Sequence, residues 1–191
     1  MTQYTNNKYN PVVQERWYKT FLGVRQQHTY WMYKVFDDAI SNNQQLGRFV
    51  EIGTGVGAVS VILALHAVQA STHLLTYDNR PELHSKLMPI FHRLGIEDKS
   101  SDHWEDIDHI KAYMNDIPTF FFCDGGDKKR EFNFYVPLIP RKSVIAAHDY
   151  GMEFTQEDIQ ETVNKYNLFP IQQNEWVGGK DDIQTCLYYK P

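Results

Sequence analysis

Cysteine is nearly absent from this chain of 191 residues. Cys123 and Cys186 are too few for a disulfide framework, and their apolar neighbours read as strands with buried thiols. Positive charge is also short: 19 Lys and Arg face 24 Asp and Glu, for a formal net charge of -5. That balance argues against a nucleic-acid surface, which needs a basic patch. No stretch approaches the roughly 20 apolar residues of a membrane-spanning helix. The opening MTQYTNNKYNPVVQ lacks the basic-then-apolar profile of a secretion signal. Internal repeats and low-complexity tracts are missing as well. These deficits predict a soluble, cytoplasmic protein with neither a membrane nor a nucleic acid as partner.

Aromatics, by contrast, are plentiful, with 12 Tyr, 11 Phe and 4 Trp. The length suits one domain with a full core. Asn10 and Pro11 predict a helix start, with the helix running to about Phe21 and broken by Gly23. Residues 29–41 predict a second helix, rich in aromatics around Tyr30, Trp31, Tyr33 and Phe36. Residues 1–45 are thus expected to form a helical segment that packs on the core or lids the site, and residues 46–191 the main domain. There, apolar runs at 48–52, 74–77, 119–123 and 143–147 read as strands. They alternate with helical patterns at 58–70, 79–94, 106–114 and 131–138. Pro89 predicts a kink in the second of these, with Leu83, Leu87, Phe91 and Leu94 on its buried face. Thr155 and Asp158 form a capping-box pattern. Residues 169–177 and 183–189 predict a terminal hairpin across GGKDD that adds one antiparallel strand. The alternation implies an α/β fold: a doubly wound, Rossmann-like and mostly parallel sheet. Its ligand belongs across the carboxyl ends of the strands, which carry residues 51–57, Asp78, 124–128 and 148–150.

VEIGTGVGAVS is a glycine-rich loop between a strand and a helix. Glycines there admit a ligand close to the backbone, beside a helix N-terminus. The spacing is G-x-G-x-G, not the G-x-G-x-x-G of dinucleotide sites, and no Gly-Lys-Ser/Thr ending marks a P-loop. Glu51 precedes the first glycine by two residues and suits a cation or an amine better than a pyrophosphate. The pattern resembles motif I of the class I S-adenosylmethionine-dependent methyltransferases. Asp78, at the end of the next strand, matches the acid that binds both ribose hydroxyls in that family, a task suited to a carboxylate's two acceptor oxygens. The resemblance implies S-adenosyl-L-methionine as donor, with Glu51, Gly53, Thr54, Gly55, Gly57, Asp78, Asn79 and Asp124 around it.

The stretches CDGGDKK and HDYG end two later strands. Their pairing is similar to the metal-dependent O-methyltransferase branch, which includes catechol O-methyltransferase and the macrocin and cephalosporin-biosynthesis relatives. By that likeness Asp124 and Asp149 are the carboxylates that hold a magnesium ion, and His148 takes the place of the other acid. Magnesium prefers oxygen ligands, and imidazole prefers zinc, iron, manganese or nickel. A metal-free enzyme with His148 as base therefore stands beside the magnesium-assisted one. Lys128 is a second candidate base, and Asp127 either a ligand or a helix cap. Gly125 and Gly126 are expected to clear space for a substrate. His28, His66, His73, His84, His92, His103 and His109 show no metal-ligand spacing and read as surface or satisfied core residues.

No Asn-Pro-Pro-Tyr or Asp-Pro-Pro-Tyr follows the strand at 119–123, which weighs against a DNA substrate. A small or sugar-like hydroxyl acceptor fits a chain this short. A non-catalytic donor-binding module and an NAD-dependent oxidoreductase are the competing readings, the latter disfavoured by the glycine spacing. The aromatic N-terminal region is compatible with a homodimer.

Overall fold

The computed structural model describes residues 19–26, 28–176 and 183–191. Lys19–Phe21 (β1) and Val24–Gln26 (β2) form an antiparallel hairpin. Leu22 and Gly23 join them, both at positive φ, the geometry that matches strand twist in a two-residue turn. Gly23 thus turns a hairpin where a helix end was expected: the last residues of the helix expected from Asn10 to about Phe21 are strand, and the rest of it lies outside the described residues.

The central strands are built from the apolar runs. Arg48–Ile52 (β3), Leu74–Tyr77 (β4), Thr119–Cys123 (β6) and Ser143–His148 (β7) are buried almost throughout. A parallel strand covered on both faces has no solvent side, which is why these runs do not alternate. Glu97–Lys99 (β5) adds one edge, inside a stretch with little sequence signal. Phe169–Pro170 (β8) and Thr185–Lys190 (β9) complete the sheet in the order β5-β4-β3-β6-β7-β9-β8. Only β9 runs antiparallel to its neighbours β7 and β8. The antiparallel terminal strand is as expected, but its partner is two residues long. Beyond Pro170 the chain turns into a short 3-10 segment, Gln173–Glu175, and buries Trp176. The GGKDD turn lies outside the described residues.

Helices cover both faces. Tyr30–Ser41 (α1) starts at Thr29, whose side chain accepts from Met32 N–H. Its Phe36 meets Phe120 and Phe122 edge-on, each at 5.1 Å between ring centres. Burying a phenyl ring of this kind contributes about 1.5–3 kcal/mol. Ala58–Gln69 (α2), apolar on nearly every side, buries Val59, Leu63, Ala64 and Ala67 but leaves Leu65 and Val68 about half exposed. The expected helix over 79–94 is two elements: a 3-10 segment, Pro81–Leu87, and an α-helix, Met88–Leu94 (α3). Pro89 falls in the first turn of α3, where its missing N–H costs no hydrogen bond, so it starts a helix and does not kink one. Leu87 and Phe91 are buried, whereas Leu83 is exposed. Ile107–Met114 (α4), Lys128–Leu138 (α5) and Gln156–Lys165 (α6) complete the layers. No described helix is long and apolar enough to cross a membrane.

Candidate active site

Strand order brings the carboxyl ends of β3, β4, β6 and β7 to one edge. Gly53 leaves β3 at φ 92, and a side chain there would sit 2.1 Å from the carbonyl oxygen of Asp124. Only glycine lets the two strand ends come this close. Gly57 opens α2 at φ 82, and a Cβ there would strike the Phe91 ring at 2.7 Å. Beside this loop lies a cleft of about 450 Å³, lined among others by Gly53, Tyr77, Asp78, Asn79, Arg80, His103 and Trp104.

Asp78 is the polar centre of the cleft. One carboxylate oxygen accepts from Gly55 N–H at 2.7 Å, the other from Arg80 N–H at 2.8 Å and from the Arg80 guanidinium at 3.1 Å. Arg80 itself is 58 % exposed, so its side chain covers one side of the carboxylate. The Tyr77 hydroxyl is buried without a hydrogen-bond partner among the described residues. Trp104 carries the Arg130 guanidinium over its ring at 4.2 Å and stacks on Tyr135.

The residues matched to the donor divide into three sets. Gly53, Asp78 and Asn79 line the cleft, Glu51, Thr54, Gly55 and Gly57 belong to the loop and strand end behind it, and Asp124 lies outside the lining, against Gly53. Thr54 bonds Thr76 at 2.7 Å. Glu51 is fully buried, and one of its oxygens accepts from Ser60 at 2.5 Å and from Thr76 at 2.7 Å. Burial pushes its pKa up to about 8. A largely neutral carboxyl behind the loop corrects the expected carboxylate facing a cation or an amine. Arg80, His103 and Trp104 were not anticipated. The last two fall in the segment whose sequence carries no clear periodicity, and Arg80 could have been found from its place directly after Asp78 and Asn79.

On the other side of the Gly53 contact, Asp124 organises a cluster from three parts of the chain. His28 Nε2 lies 3.0 Å from one Asp124 oxygen, and His148 Nδ1 lies 3.3 Å from the other and 3.3 Å from Asp149. The two imidazole rings meet edge-on at 4.6 Å. Lys128 Nζ contacts Asp149 at 2.9 Å and Glu153 at 3.1 Å. Burial alone would lower the His148 pKa, but the Asp124 and Asp149 carboxylates outweigh it and raise it to about 9. Burial likewise acts to lower Lys128, yet its carboxylate partners drive it well above the ordinary range. These carboxylates hold both groups toward their protonated forms, where bases were expected. His28 is held below its ordinary value by burial and by the neighbouring His148. Its place in the cluster corrects its reading as an isolated surface or core residue.

Asp127 is a cap: its side chain accepts from Arg130 N–H at 2.9 Å and starts α5. Gly125 is needed for a protein contact. The buried Glu131 carboxylate fills the space a Cβ would take, at 2.3 Å, and accepts from Gly125 N–H at 3.2 Å. Only Gly126 faces open space, where it lines the cleft.

The cleft fits S-adenosylmethionine. Its volume lies within the range of small-molecule sites. It offers the close backbone approach at Gly53, the Asp78 carboxylate beneath the exposed Arg80 side chain, and the unpartnered Tyr77 hydroxyl. The Asp124 cluster does not fit magnesium. An ammonium group occupies Asp149, two imidazoles occupy Asp124, and magnesium demands oxygen. The expected set of Asp124, Asp149 and His148 is therefore corrected: His28, not Asp149, joins Asp124 and His148 within mutual ligand distance.

No family model matches the chain, and no curated protein matches it in sequence. Solved structures do match in shape. TomG of Streptomyces achromogenes, an O-methyltransferase involved in tomaymycin synthesis and solved with S-adenosylmethionine, is 13% identical. The match covers 85% of this chain and 81% of TomG, with a TM-score of 0.58. An O-methyltransferase from Bacillus cereus, in complex with S-adenosylhomocysteine, is 12% identical over 84% of this chain and 81% of its own, with a TM-score of 0.57. A third, from Thermotoga maritima, is 17% identical over 82% and 64%, with a TM-score of 0.50. Identities this low speak for backbone architecture alone, and by that architecture the chain has the class I methyltransferase fold.

Proposed function

We propose that this protein is an S-adenosylmethionine-dependent methyltransferase that acts on a hydroxyl oxygen of a small or sugar-like acceptor. The observation that carries the reading is the cleft beside the Gly53–Asp124 contact, with Asp78 at its centre. The donor supplies an electrophilic methyl group on a sulfonium, which the acceptor oxygen attacks in line. Asp78 accepts from the ribose hydroxyls once the exposed Arg80 side chain swings aside. Gly53 lets the donor lie against the strand ends, and Trp104 walls the far side of the cleft. Charge at the reaction centre favours this use, since a sulfonium is drawn to the ionised Asp124 next to Gly53. That carboxylate is held well below its ordinary pKa: burial opposes this, and the His148 and His28 rings outweigh it. Much of the rate then comes from positioning. As the oxygen–carbon bond forms, the carbon–sulfur bond breaks, S-adenosylhomocysteine leaves, and the acceptor's proton passes to solvent water, since Lys128 and His148 are held toward their protonated forms.

Calorimetric titration with S-adenosylhomocysteine tests the reading. Micromolar binding, lost or strongly weakened in Asp78→Ala, is expected. No binding by the folded protein would overturn the donor assignment and turn attention to NAD and other nucleotides.

A further inference from the structure

Two imidazoles and a carboxylate from distant parts of the chain converge on one point. His28 follows the β1–β2 hairpin, Asp124 ends β6 and His148 ends β7. Their ligand atoms all lie within 4.8 Å of one another. The two contacts to Asp124, at 3.0 and 3.3 Å, run to different oxygens of the same carboxylate. A tetrahedral site with bonds of 2.0–2.1 Å has edges of about 3.3 Å, so the trio needs little movement to close on a cation. We infer that His28, Asp124 and His148 bind a divalent transition metal of the zinc type, beside the donor cleft.

Charge supports the assignment. Asp124, Asp149 and Glu153 face the Lys128 ammonium and the His148 ring, so a dication that takes the place of the ring proton brings the cluster close to neutrality. Lys128 occupies Asp149 and Glu153, which leaves Asp124 as the anionic ligand. The donor set also selects the ion. Two imidazoles and one carboxylate suit zinc, iron, cobalt or nickel, and they leave the oxygen-seeking magnesium without a site. Three protein ligands leave a fourth position open, the arrangement of catalytic zinc centres. An acceptor hydroxyl bound there would lose its proton more readily. This use of the metal rests on the methyltransferase reading; the binding of the metal does not.

A surface pair of histidines that share a carboxylate serves as the control. His73 and His109 each contact Glu97 on the surface, at 3.0 and 3.1 Å, and Lys99 holds the same carboxylate. The experiment is a titration of the tag-free, full-length chain with zinc, followed by cobalt(II) absorption in the visible range. The same samples are titrated with S-adenosylhomocysteine. One tight equivalent of zinc is expected, unaffected by excess magnesium, with the intense cobalt bands of a four-coordinate N/O site. His28→Ala and Asp124→Asn should weaken zinc binding by more than about tenfold, and His109→Ala should leave it unchanged. Should His28→Ala fail to fold, as a lost melting transition would show, His28→Gln carries the comparison. Absence of tight zinc binding, or its loss in His109→Ala but not in the His28 variants, would overturn the site. The S-adenosylhomocysteine titration reports separately on the donor cleft, so either assignment can fail while the other stands.

Discussion

A single side chain at Gly53 would have to share space with the Asp124 carbonyl. Gly53→Ala is therefore expected to destabilise the fold by about 1–3 kcal/mol and to abolish S-adenosylhomocysteine binding, read by urea denaturation and calorimetry. Asp78→Ala removes charge-assisted hydrogen bonds of roughly 1.5–3 kcal/mol, so binding should fall by about tenfold to a hundredfold. Melting temperature distinguishes this loss from simple unfolding. Glu51 makes a pH prediction. Its proton is held to about 8 in the folded chain, against an ordinary value of 4.5. Between those values the folded state keeps a proton that the unfolded state has lost, so rising pH lowers stability. Urea midpoints should fall from about pH 5 to about pH 8, and Glu51→Gln should flatten the slope. An unchanged slope in that variant would contradict a protonated Glu51.

At the level of elements, α5 does most to build the site. Asp127 caps it, Lys128 reaches Asp149 from its first turn, and Glu131 fills the space beside Gly125. Asp127→Ala should cost about 0.5–2 kcal/mol, the usual loss for an N-cap. The accompanying readout is S-adenosylhomocysteine affinity, since Gly126 and Asp127 line the cleft. The β1–β2 hairpin has a comparable role on the opposite side. It delivers His28 to Asp124, and α1 behind it is anchored by Phe36 against β6.

Across the whole molecule, the order β5-β4-β3-β6-β7-β9-β8 collects four strand ends at one edge. Ligand that binds only the folded chain must stabilise all of it. S-adenosylhomocysteine at about a hundred times its Kd should add about 2.7 kcal/mol. For a domain of this size that corresponds to a rise in Tm of about 5–10 °C, measurable by differential scanning calorimetry. A flat Tm with saturating ligand would count against the cleft as a folded-state site.

Much of this architecture was legible in the residues. Continuous apolar runs specify buried parallel strands, and the spacing of Gly53, Gly55 and Gly57 marks the loop, because these signals act through the local backbone and its solvent exposure. The carboxyl-end rule then placed Asp78, Asp124, His148 and Asp149 on one edge before any contact was seen. What tertiary structure alone decided is which groups touch. His28 is 96 positions from Asp124, and no local spacing connects them. Gly125 looked like room for a substrate until Glu131 was seen to fill it. Lys128 and His148 carry the residue types of bases, but their proton affinities depend on carboxylates brought close only by folding. Periodicity and backbone freedom are properties of neighbours along the chain, whereas contact and electrostatic environment belong to neighbours in space.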